Sequence, residues 1–386
     1  MFEQQLHDME LLHLRRRITE LESGVGPTVQ IDGRPLMLFA SNDYLGLARH
    51  PSVVQAAVEA TRQFGAGAGA ARLVSGTLPP HSELERALAR FKGVDRALTF
   101  GSGYLTNVGA IPALIGRGGL ILADRLCHAS LIDGCRLSGA DLRVYRHRDM
   151  DHLQSLLVRR ERSRKTLVVT DGVFSMDGDL APLPQLSKLC RDYEAQLYLD
   201  DAHGTGVMGA GGRGTTQHFH MESDLPFCMG TLSKALGSSG GFVAGSESLT
   251  QYLLNTSRSF LFTTAPTPGS AAAATAALAL IEREPDRLSR LWINRDRLFN
   301  GLTGLGFTLP PTESPILPLL VGEADKAVAF AEALRQRGVY APAIRPPTVP
   351  GSTSRIRVTI TSEHTASQID EALVAFRLAG ESTGVL

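Results

Sequence analysis

The sequence predicts an α/β protein: a large, mostly parallel mixed sheet between helices, followed by a smaller C-terminal α/β domain. Three observations lead there. Between about residues 95 and 245, short β-rich runs alternate with helical stretches, the runs being RALTF, GLILAD, DLRVY, TLVVT, AQLYLD, PFCMG and GFVAG. These runs are apolar without alternating, the pattern of strands covered on both faces. At 386 residues the chain also exceeds the ~250 to 300 residues at which single cores stop growing, so more than one domain is expected.

Taken in order, residues 1–45 form an N-terminal segment that opens polar, continues extended with a turn at Asp32-Gly33, and ends in LMLFASNDYL. A helix is predicted over PSVVQAAVEATRQF, opened by Pro51, whose fixed φ suits a first turn. The strand and helix alternation follows, and residues 46–283 are assigned to the large domain. Beyond Ala271 the pattern stays helical through EREPDRLSRLWINRDRLFNGL. SPILPLLV, a helix from about Ala324 to Arg337, SRIRVTIT and a last helix then complete a small domain over residues 284–386.

Composition narrows the function. Lysine plus arginine total 39 and aspartate plus glutamate total 39, with a pI near 7.2. That balance argues against a nucleic-acid or anionic-membrane partner. With 43% hydrophobic and 20% charged residues the chain is not of a disordered class. Its longest largely apolar run, Ala271 to Ile281, falls short of the ~20 residues a membrane helix needs. MFEQQLHDMELLHLRRR lacks the apolar core of a secretory signal, so a cytoplasmic location is expected. Cys127, Cys135, Cys190 and Cys228 include no C-x-x-C pair and read as buried thiols. The 39 glycines are less ordinary, because many cluster beside polar or ionisable residues.

Ligands of open parallel sheets sit at the carboxyl ends of strands. After RALTF comes GSGYLTN, glycines opening a helix near Tyr104. Such a helix start can hold phosphate on its amides, although a plain tight turn has the same signature. RLCHAS after GLILAD places Asp124 and His128 just beyond a strand. DAHGTG after AQLYLD places Asp200 at the end of an apolar run, with His203 close behind. A carboxylate there needs a cation or strong donors. TLSKALGSSGG after PFCMG sets Lys234 among Thr231, Ser233, Ser238 and Ser239, followed by Gly237, Gly240 and Gly241. A planar ligand can approach such a lysine closely, and lysines so placed are candidates for Schiff-base chemistry. Lysine, acid and phosphate nest together match the requirements of pyridoxal 5'-phosphate. A metal site is not expected, for no i, i+4 histidine pair or C-x-x-C spacing exists. Serine catalysis fits poorly too, since no G-x-S-x-G falls at a strand-to-helix turn.

SNDYLGL, GAGAARLVSGT, HSELE, DRLCHASLIDG, DGVFSMDGD, LDDAHGTG and TLSKALG occur in one order over nearly the whole chain. With these motifs the sequence resembles the α-oxoamine synthases, pyridoxal phosphate enzymes of fold type I. AIRPPTVPGSTSRIRVT is most similar to members of that group acting in biotin biosynthesis. The resemblance implies an acyltransferase that condenses L-alanine with a pimeloyl thioester, on CoA or on an acyl carrier protein, with loss of carbon dioxide. It implies that Lys234 binds the cofactor and then removes the alanine α-proton, while Asp200 keeps the ring nitrogen protonated. His128 would stack on the ring and face substrate, and His203 would meet the phenolic oxygen, helped by Ser175. Gly103, Tyr104 and Thr231 would hold the phosphate, with Thr263 given across the interface of a homodimer that shares its active site. Asn42 and Arg357 would grip the alanine carboxylate, and Arg15, Arg345 and Thr348 would serve the acyl chain. Asp171 stands where relatives often carry glutamate, one methylene longer. Glycine with acetyl-CoA or with succinyl-CoA stays open as an alternative, since one methyl is worth only ~1 to 3 kcal/mol in a pocket. A non-catalytic subunit of the same fold is a poorer alternative, because Lys234 and its partners are all present.

Overall fold

The computed structural model describes residues 2–225 and 227–386. The chain divides into two compact units, one of Met1–Arg49, Ser175–Asp179 and Asp286–Leu386, the other of His50–Phe174 and Leu180–Pro285. A linear division near residues 45 and 283 does not contain the excursion Ser175–Asp179. The N-terminal stretch also clusters with the C-terminal part rather than standing apart.

The larger unit is built on a seven-stranded sheet. In spatial order its strands are Arg96–Phe100, Gly241–Gly245, Phe227–Thr231, Gln196–Asp200, Thr166–Asp171, Leu120–Asp124 and Asp141–Tyr145. These are the seven runs read from the sequence to within one residue at their ends, and Pro226 of PFCMG lies outside the described residues. Neighbours pair in parallel except Gly241–Gly245, which is antiparallel to the strands on both its sides. Leu120–Asp124, Thr166–Asp171 and Phe227–Thr231 are buried at every residue, as strands between two helix layers must be. Ile121, Val169, Tyr198, Met229 and Val243 contribute to the core beside the sheet.

Register is what positions a site. Asp171 pairs with Asp200, Asp200 with Met229, and Thr231 and Phe100 both pair with Gly241. The carboxyl ends that carry polar side chains are thereby aligned along one edge of the sheet. Helix Pro51–Phe64 begins where the sequence places it, with the His50 ring accepting the Ser52 N–H at 3.3 Å. Helix Gly103–Leu114 begins one residue before Tyr104. Pro79–Lys92 opens on two prolines in its first turn and stops at Gly93, whose φ of 71° is left-handed.

In the smaller unit, Thr28–Ile31 and Arg34–Leu38 form a hairpin turning at Asp32-Gly33, with Val339–Tyr340 alongside. A second sheet sets Ser354–Thr359 between Ile316–Gly322 and Ala343–Ile344. Helices Phe2–Leu11, Asp286–Gly304, Ala324–Gln336 and Ala366–Thr383 also belong to this unit. The long helical stretch read after Ala271 is two helices, Pro268–Arg283 and Asp286–Gly304, separated at Glu284 and Pro285. Among the described residues no helix is long and apolar enough to cross a membrane.

Candidate active site

The strand Arg96–Phe100 leads into Ser102, whose hydroxyl accepts the Leu105 N–H at 3.1 Å and caps helix Gly103–Leu114. Capping at Leu105 leaves the Gly103 and Tyr104 amides at the helix start, where an anion is favoured by both donors and dipole. Here one glycine is obligatory for close approach. A Cβ on Gly241 would lie 2.8 Å from the Gly103 nitrogen. Thr231, at the end of its strand, donates to the Gly240 carbonyl at 2.9 Å and meets the Ser233 hydroxyl at 2.8 Å. Lys234 follows in a turn closed by the Gly237 N–H on its carbonyl at 2.8 Å.

One cleft collects these parts. Gly103, Tyr104, His128, Asp200, His203, Thr231 and Lys234 all line it, as do Ser102, Asn107, Ser130, Asp171 and Ser233. Asp200 is buried, with one oxygen accepting the Ala202 N–H at 3.0 Å and the other the Asn107 amide at 2.7 Å. Asp171, beside it in register, accepts the His128 backbone N–H at 2.9 Å. Burial, and then the Asp200 charge, push the Asp171 acid well above the usual carboxylate range. His128 caps helix Ala129–Ser138 through its ring, and burial pulls its pKa below the ordinary histidine value against the opposing pull of Asp200. The Tyr104 ring is half exposed and its hydroxyl donates to Asp133 at 2.8 Å, so its backbone is the part suited to an anion.

Asp124 has a different task. Its carboxylate meets the His147 ring at 2.8 Å and accepts the Leu126 and Arg148 amides, fastening the loop after its strand.

Pyridoxal phosphate fits this donor set. The buried Asp200 carboxylate accepts from the Ala202 amide and the Asn107 side chain, in the cleft that Lys234 and His203 also line. A protonated pyridine nitrogen would bring the positive charge that a buried carboxylate calls for. The helix start at Gly103 with the Thr231 and Ser233 hydroxyls would take the phosphate, and Lys234 the aldehyde carbon.

The other predicted residues lie elsewhere. Thr263 follows the short helix Arg258–Leu261 and does not line the cleft. In the smaller unit Arg357 donates to the Ser175 carbonyl, to Asn42 Oδ1 at 3.1 Å and to the Tyr44 hydroxyl at 3.4 Å. Arg355 holds the next residues of that segment, meeting the Met176 carbonyl at 3.1 Å and Asp177 at 2.6 Å. Arg345 donates to the His13 and Arg15 carbonyls. Arg15 pairs with Glu10 at 3.2 Å, and it is Arg16 whose guanidinium reaches Thr348 at 3.3 Å.

Asn107 and Ser130 were not singled out from the sequence. Their signal is periodicity: Asn107 ends GSGYLTN four residues after Gly103, on the same helix face, and Ser130 follows His128 by two.

Fold and cleft define a pyridoxal phosphate enzyme of fold type I. The chain belongs to the aminotransferase class I and II family, which it matches over residues 34–376, and within it groups with proteins named 8-amino-7-oxononanoate synthase. Such proteins from Symbiobacterium thermophilum and Geobacter sulfurreducens are 44% and 47% identical to it. The alignments cover 99% of this chain and 98% of the relative in the first case, 97% and 96% in the second. Among solved structures, serine palmitoyltransferase from S. paucimobilis with bound PLP and myriocin superposes with a TM-score of 0.96 at 31% identity, covering 100% of this chain and 98% of that one. The 8-amino-7-oxononanoate synthase of Francisella tularensis gives 0.78 at 28% identity, covering 90% and 98%.

Proposed function

We propose that this protein condenses L-alanine with a pimeloyl thioester to give 8-amino-7-oxononanoate, carbon dioxide and the free thiol carrier, a reaction of biotin biosynthesis. The observation that carries the reading is the convergence of Lys234, Asp200 and His128 on one cleft, in a chain so close to relatives of that name. In the overall change the alanine Cα bonds to the acyl carbon, the carbon–sulfur bond breaks, and the bond from Cα to the carboxylate breaks. Bound pyridoxal phosphate supplies the electron sink that makes negative charge at Cα tolerable.

The protein's own groups do the rest. Lys234 anchors the cofactor and carries the proton taken from, and returned to, the alanine Cα. Asp200 supplies the fixed negative charge at the ring nitrogen, oriented by Asn107 and the Ala202 amide. His128 would stack on the ring, and His203 with Ser175 would serve the phenolic oxygen. Gly103, Tyr104 and Thr231 hold the phosphate, joined in a homodimer by Thr263 of the partner subunit. Asn42 and Arg357 take the alanine carboxylate, for which a guanidinium offers a two-pronged donor. Arg15, Arg345 and Thr348 serve the pimeloyl chain, and the contact of Arg16 with Thr348 adds a further cation to that group. A cytoplasmic location is consistent with four cysteines that are all free.

A second reading is favoured by the higher TM-score to serine palmitoyltransferase: serine with a long-chain acyl thioester. Product formation with four substrate pairs separates the readings: alanine with pimeloyl-CoA, alanine with pimeloyl-acyl carrier protein, glycine with acetyl-CoA, and serine with palmitoyl-CoA. Turnover with either pimeloyl donor is the expected result. Turnover with the glycine or serine pair alone would overturn the proposal.

A further inference from the structure

We infer that Asn107 and Ser130 are positioning residues: they link Asp200 to His128 by hydrogen bonds and hold the His128 ring as its Nε2–H tautomer. This rests on the proposed cofactor site only for its consequence, since the tautomer follows from the donors and acceptors around the ring.

Asn107 is wholly buried, and the Tyr198 hydroxyl, also buried, donates to its Oδ1 at 2.9 Å. The amide nitrogen therefore faces Asp200 at 2.7 Å and the Ser130 hydroxyl at 2.9 Å. A carboxylate only accepts, so one amide proton goes to Asp200 and the other to Ser130. Having accepted from Asn107, the Ser130 hydroxyl retains one proton, and His128 Nδ1 lies 2.7 Å away. The Ser130 backbone N–H is aimed at the same Nδ1, at 3.3 Å. The backbone N–H can only donate, and the remaining hydroxyl proton finds its acceptor at Nδ1, which together put the imidazole proton on Nε2. Ser130 is 1% exposed, so water does not substitute for either contact. In the reverse tautomer the Nδ1–H would face the Ser130 backbone donor, and the buried hydroxyl, accepting from both Asn107 and the ring, would have its own proton orphaned.

The chain Tyr198, Asn107, Ser130, His128 thus fixes what the ring can do. Its backbone N–H is held by Asp171, its Nδ1 is occupied, and Nε2–H is the one polar hydrogen the imidazole can offer. Toward a substrate oxygen in the cleft, His128 is then a donor and not a base, which leaves proton abstraction to Lys234. Sequence motifs alone do not distinguish those roles.

The experiment is two-bond proton–nitrogen correlation on the full-length protein carrying ring-15N histidine, with and without pyridoxal phosphate and with no substrate. His128 is assigned by the signals lost in His128→Asn. Wild type should show the Nε2–H pattern. Ser130→Ala and Asn107→Ala should bring in the second tautomer and weaken cofactor binding about 5- to 10-fold, the worth of roughly one net hydrogen bond. Ser130→Thr, which keeps the hydroxyl, should restore both. An Nδ1–H pattern in wild type overturns the inference without need of a variant. An unchanged Nε2–H pattern with unchanged cofactor affinity in Ser130→Ala overturns it as well. Failure of the alanine and pimeloyl reaction would sink the functional reading and leave this result standing.

Discussion

Replacing Asp201 by asparagine should destabilise the larger unit severely. Lys92, the last residue of helix Pro79–Lys92, donates to Asp201 Oδ2 at 3.0 Å, to the Thr205 hydroxyl at 2.8 Å and to the Arg213 carbonyl at 2.6 Å. Asp201 Oδ1 takes both the backbone and the hydroxyl of Thr215, at 3.1 and 2.7 Å. The two side chains of the ion pair are 2% and 0% exposed. Removing one partner of such a pair leaves a buried uncompensated charge and costs ~3 to 5 kcal/mol. For units of this size each kcal/mol moves Tm by ~2 to 4 °C, so a fall of about 6 to 20 °C is expected. Calorimetry or urea unfolding on the cofactor-saturated protein reads it. Lys92→Met combined with Asp201→Asn removes both charges and should recover at least half the loss. Asp201→Asn within ~1 kcal/mol of wild type, or a double variant less stable than the single one, would show that Lys92 and Asp201 do not depend on each other in this way.

Four further outcomes follow from individual side chains. Asp200→Ala removes the counter-charge at the proposed ring nitrogen and strips Asn107 of its acceptor. A loss of about 10²- to 10³-fold in kcat is expected by steady-state assay. Arg357→Lys keeps the charge but not the planar fork, and should lower kcat/KM for alanine by roughly 10- to 100-fold, mostly through KM; an unchanged KM would remove Arg357 from carboxylate binding. His364 is buried, accepts the Thr361 N–H at 3.2 Å, and is pushed by burial from 6.5 down to about 4. The unfolded chain therefore binds the extra proton first, so His364 costs stability as pH falls from about 6.5 toward about 4, by up to ~3 kcal/mol. Asp43, raised by burial to about 6, acts with the opposite sign, since its contribution is lost as pH rises through that value. Urea unfolding of wild type against His364→Gln across that window isolates the histidine, and parallel curves would contradict its assignment.

Much of the fold was legible because its strands are short, apolar and buried on both faces, which leaves few other readings for LILAD or TLVVT. Lys234, Asp200, His128 and His203 were legible for a related reason: an ionisable residue ending an apolar run is conspicuous. Asn107 and Ser130 carry no charge and sit inside helices, where a polar residue is ordinary until its partner across the sheet is known. The excursion Ser175–Asp179 was not legible, since its place depends on Arg355 and Arg357 reaching its backbone from about 180 residues away, a separation that local pattern cannot carry. Arg15 and Arg16 differ by one position in an irregular stretch, where no period fixes which side chain turns toward Thr348.

In the proposed function Lys234 holds pyridoxal phosphate in the cleft it shares with Asp200 and His128. Borohydride reduction of the cofactor-loaded, full-length protein, followed by peptide mass mapping, tests it most directly. A pyridoxyl modification is expected on the peptide containing Lys234, with Lys92, Lys165, Lys188 and Lys326 unmodified. A modification on any of those four lysines in its place, or on none of the five, would contradict it.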